Sequence, residues 1–463
     1  MKPKKTRILT LSLLIILTLS FCAILYFNMP NIYFLKTNNQ NKENNDKNKI
    51  IKSASSSSAN SVSYLVKLNI TWGGTSEDIG TGVAMDSKNN IYLSGYTHSF
   101  GVSDYDAFLV KYNTVGTLLW YITWGGEYAD AGTGVAIDSE NNIYLCGETG
   151  SFGSGGYDAF LAKYTSNGIQ LWNTTWGGAS DDEGFGVLVD DANNIYICGE
   201  TRSFGAGNKD AFLAKYSPNG IKLWNVMWGG ASDDEGFGVA VDSENNVYLS
   251  GYTQSFGAGS NDAFLVKFNV NGTQIWNTTW GGISNDRGYD VVSDRKNNVY
   301  LCGETMSFGV GNGDAFLVKY NTNGSQLWNA TWGGTNYDGS DGAVVDSDNN
   351  IFICGKTESF GAGSSDAFLV KYSTSGVLLW NTIWGGISFD VGNDITVDGE
   401  NNLYLCGYTA SFGEGSNDAF LVKYEETKFQ LSFPVYVILI VLGTVAGVKL
   451  GSVVDYRHKK KLK

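Results

Sequence analysis

Residues 228–279 read WGGASDDEGFGVAVDSENNVYLSGYTQSFGAGSNDAFLVKFNVNGTQIWNTT, and variants of this 52-residue unit fill the central part of the chain. A tryptophan followed by Gly-Gly opens each unit, always 52 residues after the previous one: Trp72, Trp124, Trp176, Trp228, Trp280, Trp332 and Trp384. Equal spacing of this kind is typical of repeat proteins in which each unit is one supersecondary element. The sequence therefore predicts an architecture of seven repeated units.

Each unit contains four segments rich in β-branched and aromatic residues, which in representative form read GVAVDS, NNIYLCGYT, DAFLVKY and LWNTTW. Asn89 and Asn90 separate the first two segments, and Asn167 and Gly168 separate the last two. Both dipeptides favour tight hairpins. Residues 107–112 are apolar at most positions, so both faces of their sheet must be covered. We therefore predict an all-β protein, a seven-bladed β-propeller of four-stranded blades that cover one another.

The units resemble the bacterial and archaeal beta-propeller repeat family SBBP through DAFLVKY, LWNTTWGG, GVAVDS and NNIYLCGYT, over residues 63–424. Kelch repeats have a similar period, but here the Gly pair follows Trp instead of ending the second strand, so kelch ranks second. The resemblance implies that GVAVDS is the inner strand beside a central channel and LWNTTW the outer edge. It implies a fold and leaves the function open.

The phase of the repeat predicts how the ring closes. Residues 63–72 (SYLVKLNITW) correspond to an outer strand, and residues 418–424 correspond to a third strand. We expect the N-terminal strand to complete the last blade, a closure of one plus three strands that leaves no free sheet edge. The segments that precede and follow the propeller should then leave from one face of the ring, and the opposite face should present the binding loops.

Both ends of the chain carry features of membrane segments. A basic segment at 1–7 precedes an apolar run at 8–28, and a second apolar run at 431–451 precedes a basic tail at 452–463. Runs of about 20 apolar residues cross a bilayer, and basic flanks stay in the cytoplasm. We predict flanking N- and C-terminal transmembrane helices, both termini cytoplasmic, a flexible Asn/Ser-rich linker at 29–62, an extracytoplasmic propeller at 63–424 and a short linker at 425–430. A cleaved signal peptide is the alternative for the first run.

The charge of the chain is unevenly distributed. Residues 1–63 carry nine Lys or Arg against two acids and residues 425–463 carry seven against three, so a formal charge of −14 leaves about −25 on the middle. An acidic body repels phosphate backbones. We therefore expect no nucleic acid partner, whereas cations and basic surfaces suit this part of the chain.

Residues that differ between blades are the candidates for binding, because a ligand without sevenfold symmetry touches only some copies of a repeat. Residues present in every blade should instead serve packing, as in the series Asp78 to Asp390, Asp106 to Asp418 and Lys111 to Lys423. Two variable positions of the loop face mix aromatic and charged side chains, as recognition surfaces do. They predict a ligand-binding surface of Tyr96, His98, Glu148, Glu200, Arg202, Tyr252, Glu304, Lys356 and Tyr408.

The sequence offers little for catalysis or cofactor binding. It has two His, no Ser/His/Asp set, no HExxH motif and no Gly-rich phosphate loop followed by a helix, so no enzymatic activity and no cofactor are expected. Asp290 and Asp394 replace glycine near the channel mouth and are the candidates for a Ca²⁺ site. One position of the second strand holds cysteines too far apart for disulfides, which should be buried fillers: Cys146, Cys198, Cys302, Cys354 and Cys406.

Three functions fit these features. The leading hypothesis is a membrane-anchored interaction or adhesion protein that presents the propeller at the cell surface to bind protein or glycan. An extracytoplasmic hydrolase or lyase that acts on polysaccharide through acids at the channel mouth is the alternative. A structural component of the surface coat is the third. Joint substitution of Glu148, Glu200 and Glu304 should separate catalysis from binding.

Overall fold

A computed structural model describes residues 62–102 and 104–428 of the chain, and this part consists of strands joined by turns and loops. Its strands are, in chain order, β1 (Val62–Trp72), β2 (Asp78–Met85), β3 (Ile91–Thr97), β4 (Asp106–Tyr112), β5 (Leu118–Trp124), β6 (Asp130–Ile137), β7 (Ile143–Thr149), β8 (Asp158–Tyr164), β9 (Gln170–Trp176), β10 (Asp182–Val189), β11 (Ile195–Thr201), β12 (Asp210–Tyr216), β13 (Lys222–Trp228), β14 (Asp234–Val241), β15 (Val247–Thr253), β16 (Asp262–Phe268), β17 (Gln274–Trp280), β18 (Asp286–Ser293), β19 (Val299–Thr305), β20 (Asp314–Tyr320), β21 (Gln326–Trp332), β22 (Asp338–Val345), β23 (Ile351–Thr357), β24 (Asp366–Tyr372), β25 (Leu378–Trp384), β26 (Asp390–Val397), β27 (Leu403–Thr409) and β28 (Asp418–Lys428).

The strands form antiparallel sheets of four, and each sheet is one blade of a ring. In blades 1 to 6 the strands follow chain order from the channel outwards, so that blade 1 is β2-β3-β4-β5 and blade 6 is β22-β23-β24-β25. The inner strands of neighbouring blades contact one another around the ring, including β26 with β2. The prediction of an all-β, seven-bladed propeller with four-stranded blades is confirmed.

The first strand of the described chain closes the ring. Blade 7 has the order β1-β28-β27-β26, with Ile70 opposite Leu421, so the one-plus-three closure is also confirmed. The paired strands are longer than the sequence predicts, because Val62 and Lys428 are still register partners. The last blade therefore takes in residues 425–428, which we expected in a short linker.

Tight turns between the first two strands of each blade follow from asparagine. Asn89 has a φ of 59°, a left-handed conformation that asparagine tolerates better than most residues. The Asn89 amide donates to the carbonyl of Asp86 at 2.9 Å, and the Asp86 carboxylate accepts from the Asn90 amide at 2.8 Å. The equivalent residues of the other blades also have positive φ: Asn141, Asn193, Asn245, Asn297, Asn349 and Asn401.

Aromatic stacking across blade boundaries holds neighbouring blades together. Trp124, at the end of the outer strand of blade 1, stacks on Phe160 of the third strand of blade 2 with ring centroids 4.0 Å apart. The same pair recurs at the closure, where Trp72 of β1 lies 4.2 Å from Phe108 of blade 1. Strand β4 is buried at every position, as expected for a sheet covered on both faces.

The acid at the start of each inner strand fixes the loops of its own blade. Asp78 is fully buried and accepts hydrogen bonds from the Gly74 amide at 2.8 Å, from the Ser99 hydroxyl at 2.6 Å and from Thr97. Equivalent bonds recur along the series, for example from Gly178 and Ser203 to Asp182. The structural role predicted for this series is confirmed.

The recurring lysine stabilises the opposite end of each blade. Lys111 Nζ lies 3.7 Å from the Asp86 carboxylate and 4.9 Å from the centre of the Tyr92 ring. All three side chains are buried. The Lys–Asp pair recurs in blades 2 to 6, whereas Lys423 of blade 7 pairs with Glu425. The lysine series therefore packs the propeller, as predicted.

Two further predictions concern cysteines and the membrane. The cysteines of the second strands are free and buried, in agreement with the expected filling role. Within residues 62–102 and 104–428, the structure has no helix long and apolar enough to span a bilayer. The predicted transmembrane segments at 8–28 and 431–451 lie outside the described residues.

Candidate functional site

The mouth of the central channel lies where the second strands end. Thr409, the last residue of β27, pairs with Asp418, the first residue of β28. Strand β28 then runs away from the mouth to Lys428, opposite Val62. The mouth is therefore on the face opposite to the one from which the described chain enters and leaves.

Three positions of the repeat define what we call a mouth triple: a residue of the second strand, the loop residue before the third strand, and a residue of the next blade's first strand. The triples are, from blade 1 onwards, Tyr96/Tyr105/Ala131, Glu148/Tyr157/Glu183, Glu200/Lys209/Glu235, Tyr252/Asn261/Arg287, Glu304/Gly313/Gly339, Lys356/Ser365/Val391 and Tyr408/Asn417/Ile79. Every triple is different, although the strands that carry them are nearly identical.

The third triple is a buried ion cluster between blades 3 and 4. Lys209 Nζ donates to Glu200 Oε2 and to Glu235 Oε1, both at 2.7 Å. Glu200 is 1% exposed, and burial raises its pKa to about 8 even though Lys209 counteracts that shift. Burial lowers the pKa of Lys209, but the bonds to the two glutamates outweigh it and leave the pKa above its ordinary value.

The second triple contains two glutamates and no cation. The carboxyl groups of Glu148 and Glu183 are hydrogen-bonded to each other across the boundary between blades 2 and 3. Burial, reinforced by the charge of Glu183, raises the pKa of Glu148 to about 8. This pair therefore holds a proton at neutral pH.

The fourth triple brings an arginine to the mouth. Arg287 lies over the Tyr252 ring, 5.2 Å from its centre, and donates to Glu304 Oε1 at 2.9 Å. The triples of blades 3 to 5 therefore bring glutamates together with two cations, Lys209 and Arg287. These charge pairs hold the side chains of the mouth in fixed positions.

Below the triples, one residue of each inner strand forms a β-bulge and lines the channel. In blades 3 to 5 this residue is aromatic: Phe185 stacks on Phe237 with centroids 4.9 Å apart, and Tyr289 meets Phe237 at 5.4 Å. In the other blades it is polar, and Thr81 donates to the carbonyl of Gly132 at 2.9 Å. The channel wall is therefore aromatic on one side and polar on the other.

Two residues predicted to bind ligand are not exposed. Glu200 and Glu304 are only 1% and 2% exposed, because the first strand of the next blade covers the position and Lys209 or Arg287 neutralises it. This corrects the expectation that they project from outward loops. They shape the mouth instead of offering a free carboxylate.

The other predicted residues are accessible to different degrees. Tyr96, Glu148, Tyr252, Lys356, Tyr408 and His98 are half-buried, and Arg202 is exposed. His98 Nδ1 lies 3.9 Å from Glu77, and Arg202 donates to Asp181 at 3.2 Å. The structure thus brings the first variable position together around the channel, whereas the second lies further out on the loops.

The candidates for Ca²⁺ binding form hydrogen bonds between neighbouring blades. Asp290 accepts from the amide of Ala343 at 2.9 Å and Asp394 accepts from the amide of Val83 at 2.8 Å, so each ties its inner strand to the next blade. Burial raises the pKa of Asp290 to about 6 and that of Asp394 to about 7. In residues 62–102 and 104–428 no three His, Cys, Asp or Glu side chains cluster as metal ligands would.

Sequence reasoning missed several residues of the mouth. Glu183, Lys209, Glu235 and Arg287 complete the triples but lie on loops and first strands, outside the two variable positions that predicted the binding surface. The signal was present, because positions 52 residues apart hold Tyr157, Lys209 and Asn261. A comparison of every repeat position would have revealed this variation.

The fold and its mouth define this chain as a β-propeller protein. The family model described as a beta-propeller repeat, SBBP, matches residues 228–257, within the unit that predicts the fold. Together with the seven-bladed architecture, this match confirms the resemblance. The chain is built from SBBP-type repeats.

Two curated relatives match the chain over part of their length. An uncharacterized WD repeat-containing protein, L264, of Acanthamoeba polyphaga mimivirus is 22% identical, and the match covers 75% of this chain and 29% of that protein. Regulatory protein FlaEY of Caulobacter vibrioides is 26% identical over 36% of this chain and 20% of that protein. The chain thus spans less than a third of either relative.

Solved structures with a similar arrangement include enzymes of low sequence identity. A gluconolactonase from Xanthomonas campestris has a TM-score of 0.36 and 11% identity, over 62% of this chain and 85% of its own. A fungal alcohol oxidase in complex with copper has a TM-score of 0.46 and 13% identity, over 78% of this chain and 76% of its own. Similarities at this level add nothing on function.

Proposed function

We propose that this protein is anchored in the cell membrane and binds a protein or glycan partner at the cell surface through the mouth of its propeller. One observation carries the proposal: the mouth triples differ at every blade boundary, whereas the residues that pack the blades recur around the ring. Uniform packing with a variable rim is what a rigid scaffold for one asymmetric ligand requires.

The composition of the mouth favours a protein partner with a basic surface. Its triples hold five glutamates (Glu148, Glu183, Glu200, Glu235 and Glu304) against Lys209, Arg287 and Lys356. Half-buried tyrosines stand among these charges, a mixture common in protein interfaces. The surplus of carboxylate agrees with the acidic charge of the chain's middle and steers positively charged partners towards it.

The pairing of the two strands that close blade 7 supports the proposed orientation. Val62 and Lys428 are register partners at the end of blade 7 that faces away from the mouth. Two anchors in one membrane, at 8–28 and 431–451, would hold that face towards the bilayer and leave the mouth directed outwards. A membrane anchor with an outward mouth is the arrangement expected of a surface receptor or adhesin.

A polysaccharide hydrolase or lyase receives less support from the mouth. Glycoside hydrolases place two carboxyl groups roughly 5 to 9.5 Å apart, so that the sugar or a water fits between them. Glu148 and Glu183 are hydrogen-bonded directly, which leaves no such gap. We therefore put binding ahead of catalysis.

Partner capture by the full-length protein tests the proposal. The double variant Glu77→Lys and Glu358→Lys reverses the charge of two accessible acids of the mouth face, while Glu400→Lys reverses an exposed acid on the opposite face. Capture from surface extracts should fall at least tenfold in the double variant and stay unchanged in the control. Equal capture by all three proteins would contradict a binding role for the mouth, and loss of turnover on a glycan panel would favour the enzyme.

A further inference from the structure

The third mouth triple shows how two glutamates and one ammonium group fit together at a blade boundary. The ammonium of Lys209 lies between Glu200 and Glu235, with both N–O distances at 2.7 Å. Charge-assisted hydrogen bonds of this length are strong. The repeat therefore contains the geometry of an ammonium site, occupied here by the chain's own lysine.

The same two glutamates stand one repeat earlier without the lysine. Glu148 and Glu183 precede Glu200 and Glu235 by 52 residues, and Tyr157 stands where the lysine would be. Within residues 62–102 and 104–428, no Lys or Arg nitrogen forms a salt bridge with Glu148 or Glu183 at 4.0 Å or less. The two carboxyl groups bond to each other instead.

The cations nearest to this pair are already engaged. Arg202 donates to Asp181 at 3.2 Å, and Lys209 is held by Glu200 and Glu235. The charges of Lys209 and Arg202 lower the pKa of Glu183, and burial together with Glu235 raises it to a value above the ordinary one. The pair thus lacks a counter-charge of its own.

The surroundings of the pair suit an ammonium on a flexible aliphatic stem. The hydroxyls of Tyr105 and Tyr157 are hydrogen-bonded to each other, so Tyr157 is held by its neighbour. Phe185, the bulge residue that follows Glu183 and Gly184 on β10, stacks against Phe237 and provides an apolar surface in the channel. Lysine stems pack along such walls while the ammonium reaches the carboxylates.

We propose that Glu148 and Glu183 form a binding site for the ammonium group of a lysine side chain on a partner polypeptide. The inference rests on the proposed function and names the chemistry of its partner. A lysine is preferred to an amino sugar because the equivalent site, Glu200 with Glu235, takes a lysine. Binding replaces the proton shared by the two carboxyls, so a proton leaves to solvent as the ammonium enters.

Titration of the full-length protein with Nα-acetyl-lysine methylamide at pH 8 tests the site. Saturable binding is expected, with proton release measured by calorimetry in two buffers of different ionisation enthalpy. Tyr157→Lys should fill the site from within and weaken binding at least tenfold, and Glu183→Gln should also weaken it. Glu400→Gln, an exposed acid on the opposite face, is the matched control. Circular dichroism and thermal unfolding establish that each variant is folded.

Three results would overturn the site: no binding of the probe to the wild type, undiminished binding to Tyr157→Lys, or tighter binding of glucosamine than of the lysine probe. Different results would contradict the proposed function of the mouth. If partner capture survives Tyr157→Lys but is lost in the Glu77→Lys and Glu358→Lys variant, the mouth binds its partner without this site. If neither change affects capture, the mouth is not the binding surface.

Discussion

The hydroxyl of Tyr64 accepts a hydrogen bond from Lys371 Nζ over 3.0 Å, which joins the closing strand β1 to the third strand of blade 6. In the other blades the lysine meets a tyrosine of its own second strand, but blade 6 has Phe352 at that position. Lys371 also lies 3.1 Å from Asp346. In the other blades the tyrosine hydroxyl donates to the aspartate, as Tyr92 does to Asp86. In blade 6 the Phe352 ring still lies under Lys371, and the nearby hydroxyl comes from Tyr64 across the blade boundary, where it bonds the lysine itself.

Substitution of Tyr64 tests the contribution of this contact to closure. Tyr64→Phe removes a buried hydrogen bond to a charged group, which typically contributes about 1.5–3 kcal/mol. We expect the free energy of unfolding, measured by chemical denaturation, to fall by about that amount. Tyr121→Phe, at a tyrosine 48% exposed, should change little. A second substitution, Phe352→Tyr, should restore part of the loss, and an unchanged midpoint in Tyr64→Phe would refute the role of the contact.

Removal of Lys209 should destabilise the propeller in a pH-dependent manner. Lys209→Met leaves Glu200 and Glu235 buried without a cation, and loss of one partner of a buried pair costs about 3–5 kcal/mol. The loss should be large at pH 8 and smaller at pH 5, because burial raises the pKa of Glu200 to about 8 and this carboxyl group is neutral at the lower pH. Denaturation at both pH values measures it, with Lys222→Met as control. An equal loss at both values would mean that the ion cluster is not its cause.

Asp290 and Asp394 should make the ring less stable as the pH rises. Their pKa values in the folded state, about 6 and about 7, lie above the ordinary value near 3.9, so the folded state holds more protons than the unfolded state between these limits. Stability is therefore lost from about pH 4 to pH 7. We expect Asp394→Asn to reduce this decline by about 1–2 kcal/mol. The measurement compares the free energy of unfolding, from chemical denaturation, at pH 5 and at pH 8. The same decline in the variant would exclude Asp394 as a source.

The second-strand cysteines should not react while the propeller is folded. They are buried, and desolvation raises the pKa of the Cys146 thiol to about 12, so hardly any thiolate forms at neutral pH. Iodoacetamide at pH 8 followed by mass spectrometry should find Cys146, Cys198, Cys302, Cys354 and Cys406 unmodified in the native protein and modified after denaturation. Rapid native labelling would show that blades open locally.

The regular parts of the fold could be predicted because each depends on residues close together in the sequence. Asn89 and Gly116 adopt the positive φ angles that their hairpins need, and the four β-rich segments in each 52-residue unit give the number of strands per blade. Closure could also be predicted, since the repeat array begins with an outer strand and ends with a third strand. The repeat pattern did not predict that the pairing of β1 with β28 extends as far as Val62 and Lys428.

The candidate site was less predictable because its contacts cross blade boundaries. Glu200 varies like a surface residue, yet Glu235, 35 positions later, packs beside it and Lys209 neutralises both. Burial of this kind depends on how closely two inner strands approach. The repeat pattern locates such positions but not their neighbours, so sequence reasoning found half of each pair.

The register of β1 with β28 has a consequence for biosynthesis. A ribosome delivers Trp72 early, but its partner Ala419 emerges only after six complete blades have been made. Until then the first blade has no neighbour on one side and the nascent chain carries an open edge. The propeller therefore cannot close until the last strand has been synthesised. A chain terminated before residue 418 would lack the partner of β1 and would expose an unpaired strand edge to cellular quality control.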